Sequence, residues 1–219
     1  MKNFFEVCDA TFSSGHKHEL KNINFDIPNK GEVVCLIGPS GVGKTTILRT
    51  IAGLERLKKG EIRLNGKLLS SRGVLINPEK RNIALSFQDN CLFPHKNVLQ
   101  NILLGLERAN RKEFLFSPHE LLDLFKLKNI QNMYPHEISS GEAQRVSLAR
   151  SLISSPDLLL LDEPFSNIDQ ILKEELQNLV KEILIKTKIS AIIVTHDPNE
   201  AFYLGDKCGI IISNKLRQF

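Results

Sequence analysis

Gly38-Pro39-Ser40-Gly41-Val42-Gly43-Lys44-Thr45 satisfies the pattern G-x-x-x-x-G-K-[ST] in full, and a second threonine, Thr46, follows it. Glycines at this spacing let consecutive backbone N–H groups turn inward around an anion. The lysine neutralises the outermost phosphate oxygens, and the Thr45 hydroxyl can hold Mg²⁺. Further along, Leu158-Leu159-Leu160-Leu161 runs into Asp162-Glu163-Pro164. An apolar run that delivers two carboxylates suits Asp162 to a water-mediated hold on the same cation. It suits Glu163 to polarising an attacking water as a general base. A glycine turn or a solvated strand end explains either segment alone, whereas the pair points to hydrolysis of a nucleotide.

Such residues need a scaffold that brings loop and strand ends together. Val33-Val34-Cys35-Leu36-Ile37 is a short continuous apolar run, the pattern of a strand buried on both faces of a mainly parallel sheet. After the glycine-rich turn, Ile47, Leu48, Ile51 and Ala52 recur at helical spacing up to Gly53, a natural helix stop. Leu158–Leu161 and Ala191–Val194 read as two more buried strands. Between them Leu172, Leu176, Leu179 and Ile183 form the stripe of an amphipathic helix. This alternation predicts an α/β fold, a P-loop nucleotide-hydrolase core of mainly parallel sheet with flanking helices and with functional loops at the strand carboxyl ends. Phe4, Phe5 and Val7, then Ile23, Phe25 and Ile27, then Glu61 to Asn65-Gly66, predict a small antiparallel β region near the N-terminus. From about 90 to 137 helical signals dominate, with Ser117-Pro118 opening a segment that carries Leu121, Leu122, Leu124 and Phe125. The expected organisation is one domain over 1–219: a core from 1–89 and 138–219, and an inserted helical subdomain at about 90–137.

Composition excludes several classes. The 219 residues, 42% hydrophobic and 25% charged, suit a folded domain. The formal charge of +4 is scattered, without the basic tract of a nucleic-acid binder. Cys8, Cys35, Cys91 and Cys208 form no C-x-x-C pair, so neither zinc nor a disulfide framework is expected, and a reducing compartment fits. The opening residues do not read as a signal peptide, and no apolar run approaches the roughly 20 residues of a membrane helix. Asn29-Lys30-Gly31-Glu32 and Asn214-Lys215-Leu216-Arg217 lack the aspartate of the guanine-reading N-K-x-D, against a GTPase.

Ile138-Ser139-Ser140-Gly141-Glu142, with Ala143 to Arg150 after it, resembles the L-S-G-G-Q signature and following helix of ABC ATPases. Three further segments resemble that family in the order it expects: Ser86-Phe87-Gln88-Asp89 its Q-loop, Ser166-Asn167-Ile168-Asp169 its D-loop, and Thr195-His196-Asp197 its switch-histidine segment. Pro78 to Arg81 and Cys91 to Val98 resemble importer subunits for ferric iron, polyamines, sulfate, molybdate and thiamine, with ferric iron the preferred solute. The resemblance implies ATP and Mg²⁺ as ligands, Glu163 and His196 as the hydrolytic pair, and Thr45, Gln88 and Asp162 around the metal. It places Phe12 on the adenine and Gly38 to Thr46 on the phosphates. Ser139, Ser140, Gly141 and Glu142 would face the ATP of a second copy in a head-to-tail homodimer, with Asp169 at the interface. It further implies a transmembrane permease gripped around Leu92 and Phe93, a possible solute-binding protein, no nucleic acid, and a peripheral location on the cytoplasmic face of the inner or plasma membrane. Ser140 and Glu142 replace the family's glycine and glutamine, which adds a side chain and a negative charge where phosphate should approach. The chain is expected to lack the C-terminal regulatory domain of many such subunits. An ABC-type ATPase acting on DNA or ribosomes, and a regulatory ABC subunit with little turnover, stay open at this point.

Overall fold

The apolar runs become central strands whose successive residues enter two different cores. The computed structural model describes residues 3–14, 18–107, 114–166, 168–212 and 215–219. In chain order, β1 (Phe5–Ser14) and β2 (His18–Ile27) pair antiparallel, and β3 (Val33–Ile37) leads into α1 (Lys44–Ala52). β4 (Lys59–Leu64) and β5 (Lys67–Ser70) make a second hairpin, followed by β6 (Ile83–Ser86). Then come α2 (Val98–Glu107), α3 (Pro118–Leu124) and α4 (Ser140–Ile153). The chain continues through β7 (Leu158–Asp162), α5 (Gln170–Thr187), β8 (Ser190–Thr195), α6 (Pro198–Leu204), β9 (Lys207–Ile212) and β10 (Lys215–Gln218).

The first sheet has the order β2-β1-β4-β5 and is antiparallel; the second has the order β10-β9-β3-β8-β7-β6 and is parallel except for β10. Val34, Leu36, Leu158, Leu160, Ile192 and Val194 face the first sheet and α1, while Val33, Cys35, Leu159, Leu161, Ala191 and Ile193 face the other helices. A strand side chain reverses face at every residue, so an unbroken apolar run is what a sheet covered on both sides requires. Asn65 and Gly66 turn β4 into β5 with φ of 50° and 75°, the paired positive values of a primed hairpin turn. The two sheets are joined at their edges: the Gln218 side chain receives the Asp26 N–H at 3.0 Å and donates to the Asp26 carbonyl at 2.8 Å.

Among the described residues of 90–137, the regular elements are α2, α3 and single 3₁₀ turns at Lys128–Ile130 and Pro135–Glu137. Its apolar residues Val98, Ile102, Leu121, Leu122, Phe125 and Leu127 share one buried cluster with α4, α5 and the parallel sheet. The α5 stripe differs in phase from the sequence reading. Leu176 and Ile183 are buried, Val180 and Leu184 join them, and Leu172 and Leu179 are half-buried. Leu172 is displaced from the core because it serves a contact with α4 described below. Among the described residues no helix is long and apolar enough to cross a membrane.

Candidate active site

Every segment singled out for chemistry at a strand end lies at the carboxyl edge of the parallel sheet: Gly38 to Gly43 after β3, Gln88 after β6, Asp162 and Glu163 at the end of β7, and His196 after β8. A cavity of about 400 Å³ opens there, lined by Ser40, Gly41, Val42, Gly43, Lys44, Thr45, Thr46, Gln88 and Glu163, with Phe12 and Leu20 on its far wall. Gly43 caps α1 with φ 106° and supplies no side-chain hydrogen bond, so the first-turn N–H groups of the helix remain available to an anion. Gly41 also has positive φ, at 79°. Lys44 is 4% exposed, and its ammonium bridges the loop, donating to the carbonyls of Gly38 at 2.7 Å and Pro39 at 3.2 Å. The same ammonium lies 3.7 Å from Glu163 Oε1, which spans the mouth of the cradle.

Asp162 is 4% exposed, and burial pushes its carboxyl above the ordinary value; the neighbouring Glu163 adds to the shift, while a hydrogen bond with Thr45 and the charge of Lys44 oppose it. The Thr45 hydroxyl and the Asp162 carboxylate are thus already partners. Two adjacent hard oxygens, with Gln88 on the cavity wall, form a donor set that suits Mg²⁺. Glu163 follows with φ 45°, an uncommon conformation for a residue with a side chain, held by its N–H bond to the Val194 carbonyl at 3.0 Å. This kink at the strand end carries the second carboxylate out of the sheet plane to Lys44 on one side and to His196 Nδ1, at 3.2 Å, on the other.

Ser139, Ser140, Gly141, Glu142 and Asp169 are not among the cavity-lining residues; they gather at the N-termini of α4 and α5. Ser139 caps α4: its Oγ accepts from Glu142 N–H at 3.3 Å, and Glu142 Oε2 accepts from Ser139 N–H at 2.8 Å and Oγ at 2.7 Å. Asp169 caps α5, accepting from Leu172 N–H at 3.0 Å. The two caps touch, since a Cβ on Gly141 would fall 2.4 Å from Leu172 Cδ2. Asn167 of the D-loop segment lies outside the described residues.

Phe12 requires a correction. Although it borders the cavity, its ring is 1% exposed and packs in the core between the two sheets, so it offers little free surface for a base to stack on. The cause is register: Phe12 pairs with Leu20 across β1 and β2, and both point inward. Leu20 is in turn a cavity residue that the sequence reading missed. A Cβ on Gly43 would come 3.1 Å from Leu20 Cδ1, so this leucine supports the phosphate loop from beneath. Only its inward phase in an alternating strand hinted at that role.

An anion cradle at a helix N-terminus, a buried lysine, a threonine–aspartate oxygen pair and a kinked glutamate at parallel strand ends define a P-loop nucleotide-binding domain. The sequence pattern of the ABC transporter family matches residues 20–166, and the chain belongs to that family. It is 38% identical over 210 residues to the glucose import ATP-binding protein of Saccharolobus solfataricus, covering 94% of this chain and 59% of that protein. It is 38% identical over 216 residues to the Fe(3+) ions import ATP-binding protein of Escherichia coli strain K12, covering 98% and 60%. Among solved structures, the ATP-binding cassette MJ0796, in a dimeric post-hydrolysis state bound to ADP and Pi, superposes with a TM-score of 0.84 at 26% identity, covering 98% of this chain and 97% of that one. The chain spans about three fifths of the length of the curated relatives it matches.

Proposed function

We propose that this chain binds and hydrolyses ATP with Mg²⁺ and thereby energises an ABC importer of a small solute, working as one of two copies packed head to tail against a transmembrane permease. The observation that carries the reading is the Lys44–Glu163–His196 line across the mouth of a cradle whose helix N-terminus is open. Lys44 would exchange its loop carbonyls for the terminal phosphate. Glu163, held between two cationic or hydrogen-bonding neighbours, would accept the proton of the attacking water, and His196 would keep that carboxylate aimed. Thr45, Asp162 and Gln88 would hold the cation, which supplies charge neutralisation on the phosphates.

Dimerisation is taken from MJ0796, and the importer role from the names of the relatives. Relatives named for glucose, sulfate/thiosulfate and Fe(3+) import stand at closely similar identities of 38%, 39% and 38%, so ferric iron is the first solute to test and not one that identity singles out. A permease would find Phe93, which is 45% exposed, and a groove of about 630 Å³ lined by Leu54, Pro78, Glu79, Leu104 and Arg150. A solute-binding protein would complete the system, on the cytoplasmic face of whose permease this subunit would sit.

The test measures ATP turnover and ATP-dependent dimerisation in wild type and Glu163→Gln. Turnover in wild type, lost in a variant that ATP locks as a dimer, is the expected result. Equal turnover in both would remove Glu163 from the role of base. Wild type without turnover, even when reconstituted with its permease, would overturn the hydrolytic reading.

A further inference from the structure

The first turn of α5 joins the three segments that the proposed reaction must move together. Asp169 caps that turn, Leu172 rests on Gly141 of the signature segment, and the next residue, Lys173, reaches the segment that carries His196. The Lys173 ammonium lies 3.0 Å from Asp197 Oδ2 and 2.7 Å from Glu200 Oε1. Glu200 is 5% exposed, and its other oxygen receives a hydrogen bond from the Thr195 hydroxyl, which itself accepts the Asp197 N–H at 3.0 Å. Lys173, Glu200, Thr195 and Asp197 therefore close a ring around the backbone of His196. The imidazole projects from that ring, 57% exposed and anchored at Nδ1 on Glu163.

We infer that Lys173 is a positioning residue for ATP hydrolysis: it fixes the backbone that carries His196 against the N-terminus of α5, so that movement of the D-loop and signature segments reaches the general base. The inference rests on the hydrolytic reading above. A solvent-facing lysine–carboxylate pair contributes little by itself. Here one ammonium is shared between two carboxylates, one of them buried, and its loss strands the buried carboxylate and unties the ring. Lys173 touches neither phosphate nor water in this scheme, and it does not line the cavity in which Ser40 to Thr46 would hold the nucleotide. Its removal should therefore strike turnover and spare binding, because a misplacement of about 1 Å at reacting groups can lower a rate on the order of 100-fold.

The experiment measures kcat and KM for MgATP and the Kd of a fluorescent ATP analogue for the full chain as wild type, Lys173→Met and Lys173→Arg. The expected result is a kcat lowered about tenfold or more in Lys173→Met with Kd changed by less than about twofold. A guanidinium at this position is long enough to span both carboxylates, so Lys173→Arg should recover most of the rate. A kcat unchanged in Lys173→Met, a parallel loss of kcat and affinity, or no recovery in Lys173→Arg would overturn the inference. Unfolding of both Lys173→Met and the milder Lys173→Gln, read by circular dichroism, would assign the residue to stability and overturn it too. Absence of turnover in wild type would sink the parent reading and this one with it, whereas wild-type turnover unaffected by Lys173→Met sinks this one alone.

Discussion

Gly141→Ala should destabilise the protein, although alanine normally favours a helix over glycine by about 0.5–1 kcal/mol. The added Cβ would lie 2.4 Å from Leu172 Cδ2, against a comfortable carbon–carbon separation of about 3.5–4.0 Å. More than an ångström must therefore be recovered by swinging Leu172 or parting α4 from α5, an overpacking cost of about 1–3 kcal/mol. The balance is a net loss of up to about 2.5 kcal/mol, or up to roughly 10 °C in Tm for a chain of this size. In a Leu172→Ala background the obstruction is gone, and the same substitution should stabilise by about 0.5–1 kcal/mol. Urea unfolding of the four proteins at constant m reads the sign in each background. Stabilisation by Gly141→Ala in wild type, or equal destabilisation in both backgrounds, would refute the contact between the signature segment and the first turn of α5.

Gly105→Ala should be worse, about 3 kcal/mol, and should not be rescued by Ile153→Ala, because its Cβ would meet the Arg150 carbonyl oxygen at 2.3 Å and backbone cannot swing aside; chemical denaturation of single and double variants checks both points. Asp162→Asn should leave the nucleotide-free fold at least as stable as wild type, since burial already penalises the ionised carboxyl, while abolishing Mg²⁺-dependent stabilisation by ATP in thermal shift. The Asp197 carboxyl is held below its ordinary 3.8, first by the hydrogen bond from Lys173. A depressed acid contributes stability above its unfolded value and loses it as pH falls through the folded one. Asp197's share of the Lys173→Met deficit, about 1 kcal/mol or less for a partly exposed carboxylate, should thus be constant at neutral pH and shrink below 3.8, as unfolding at a series of pH values would reveal.

The phosphate loop, the carboxylate pair and the two-faced strands were legible in the sequence because each is encoded in a contiguous stretch: a glycine spacing, an apolar run, a pair of acids at its end. Phe12 was not, because an aromatic residue in an alternating strand looks the same whether its ring is free to meet a ligand or packed in a core, and only its burial in the fold, at 1% exposed, decides. The phase of α5 misled for a related reason. Leu172 has the spacing of a core residue, yet its partner is a glycine on another helix, far away in the chain. The ring around His196 was invisible, since Lys173 and Asp197 are ordinary charged residues until the fold places them 3.0 Å apart.

The two helix N-termini assigned to phosphate differ in a way that orders the proposed cycle. Gly43 leaves the start of α1 without a side-chain cap, with Lys44 buried beside it, so that end is ready for an anion in a single chain. The start of α4 is already satisfied from within: Ser139 and Glu142 cap each other, and the Glu142 carboxylate takes the place that an incoming anion would favour. A phosphate carried by a second subunit would have to compete with that carboxylate, whereas the family's neutral glutamine could form the same box without the charge. On the proposed reading, nucleotide affinity in one chain resides in the cradle after β3. Closure of the dimer is then the weaker step, and its strength is set by how readily Glu142 yields its hold on Ser139.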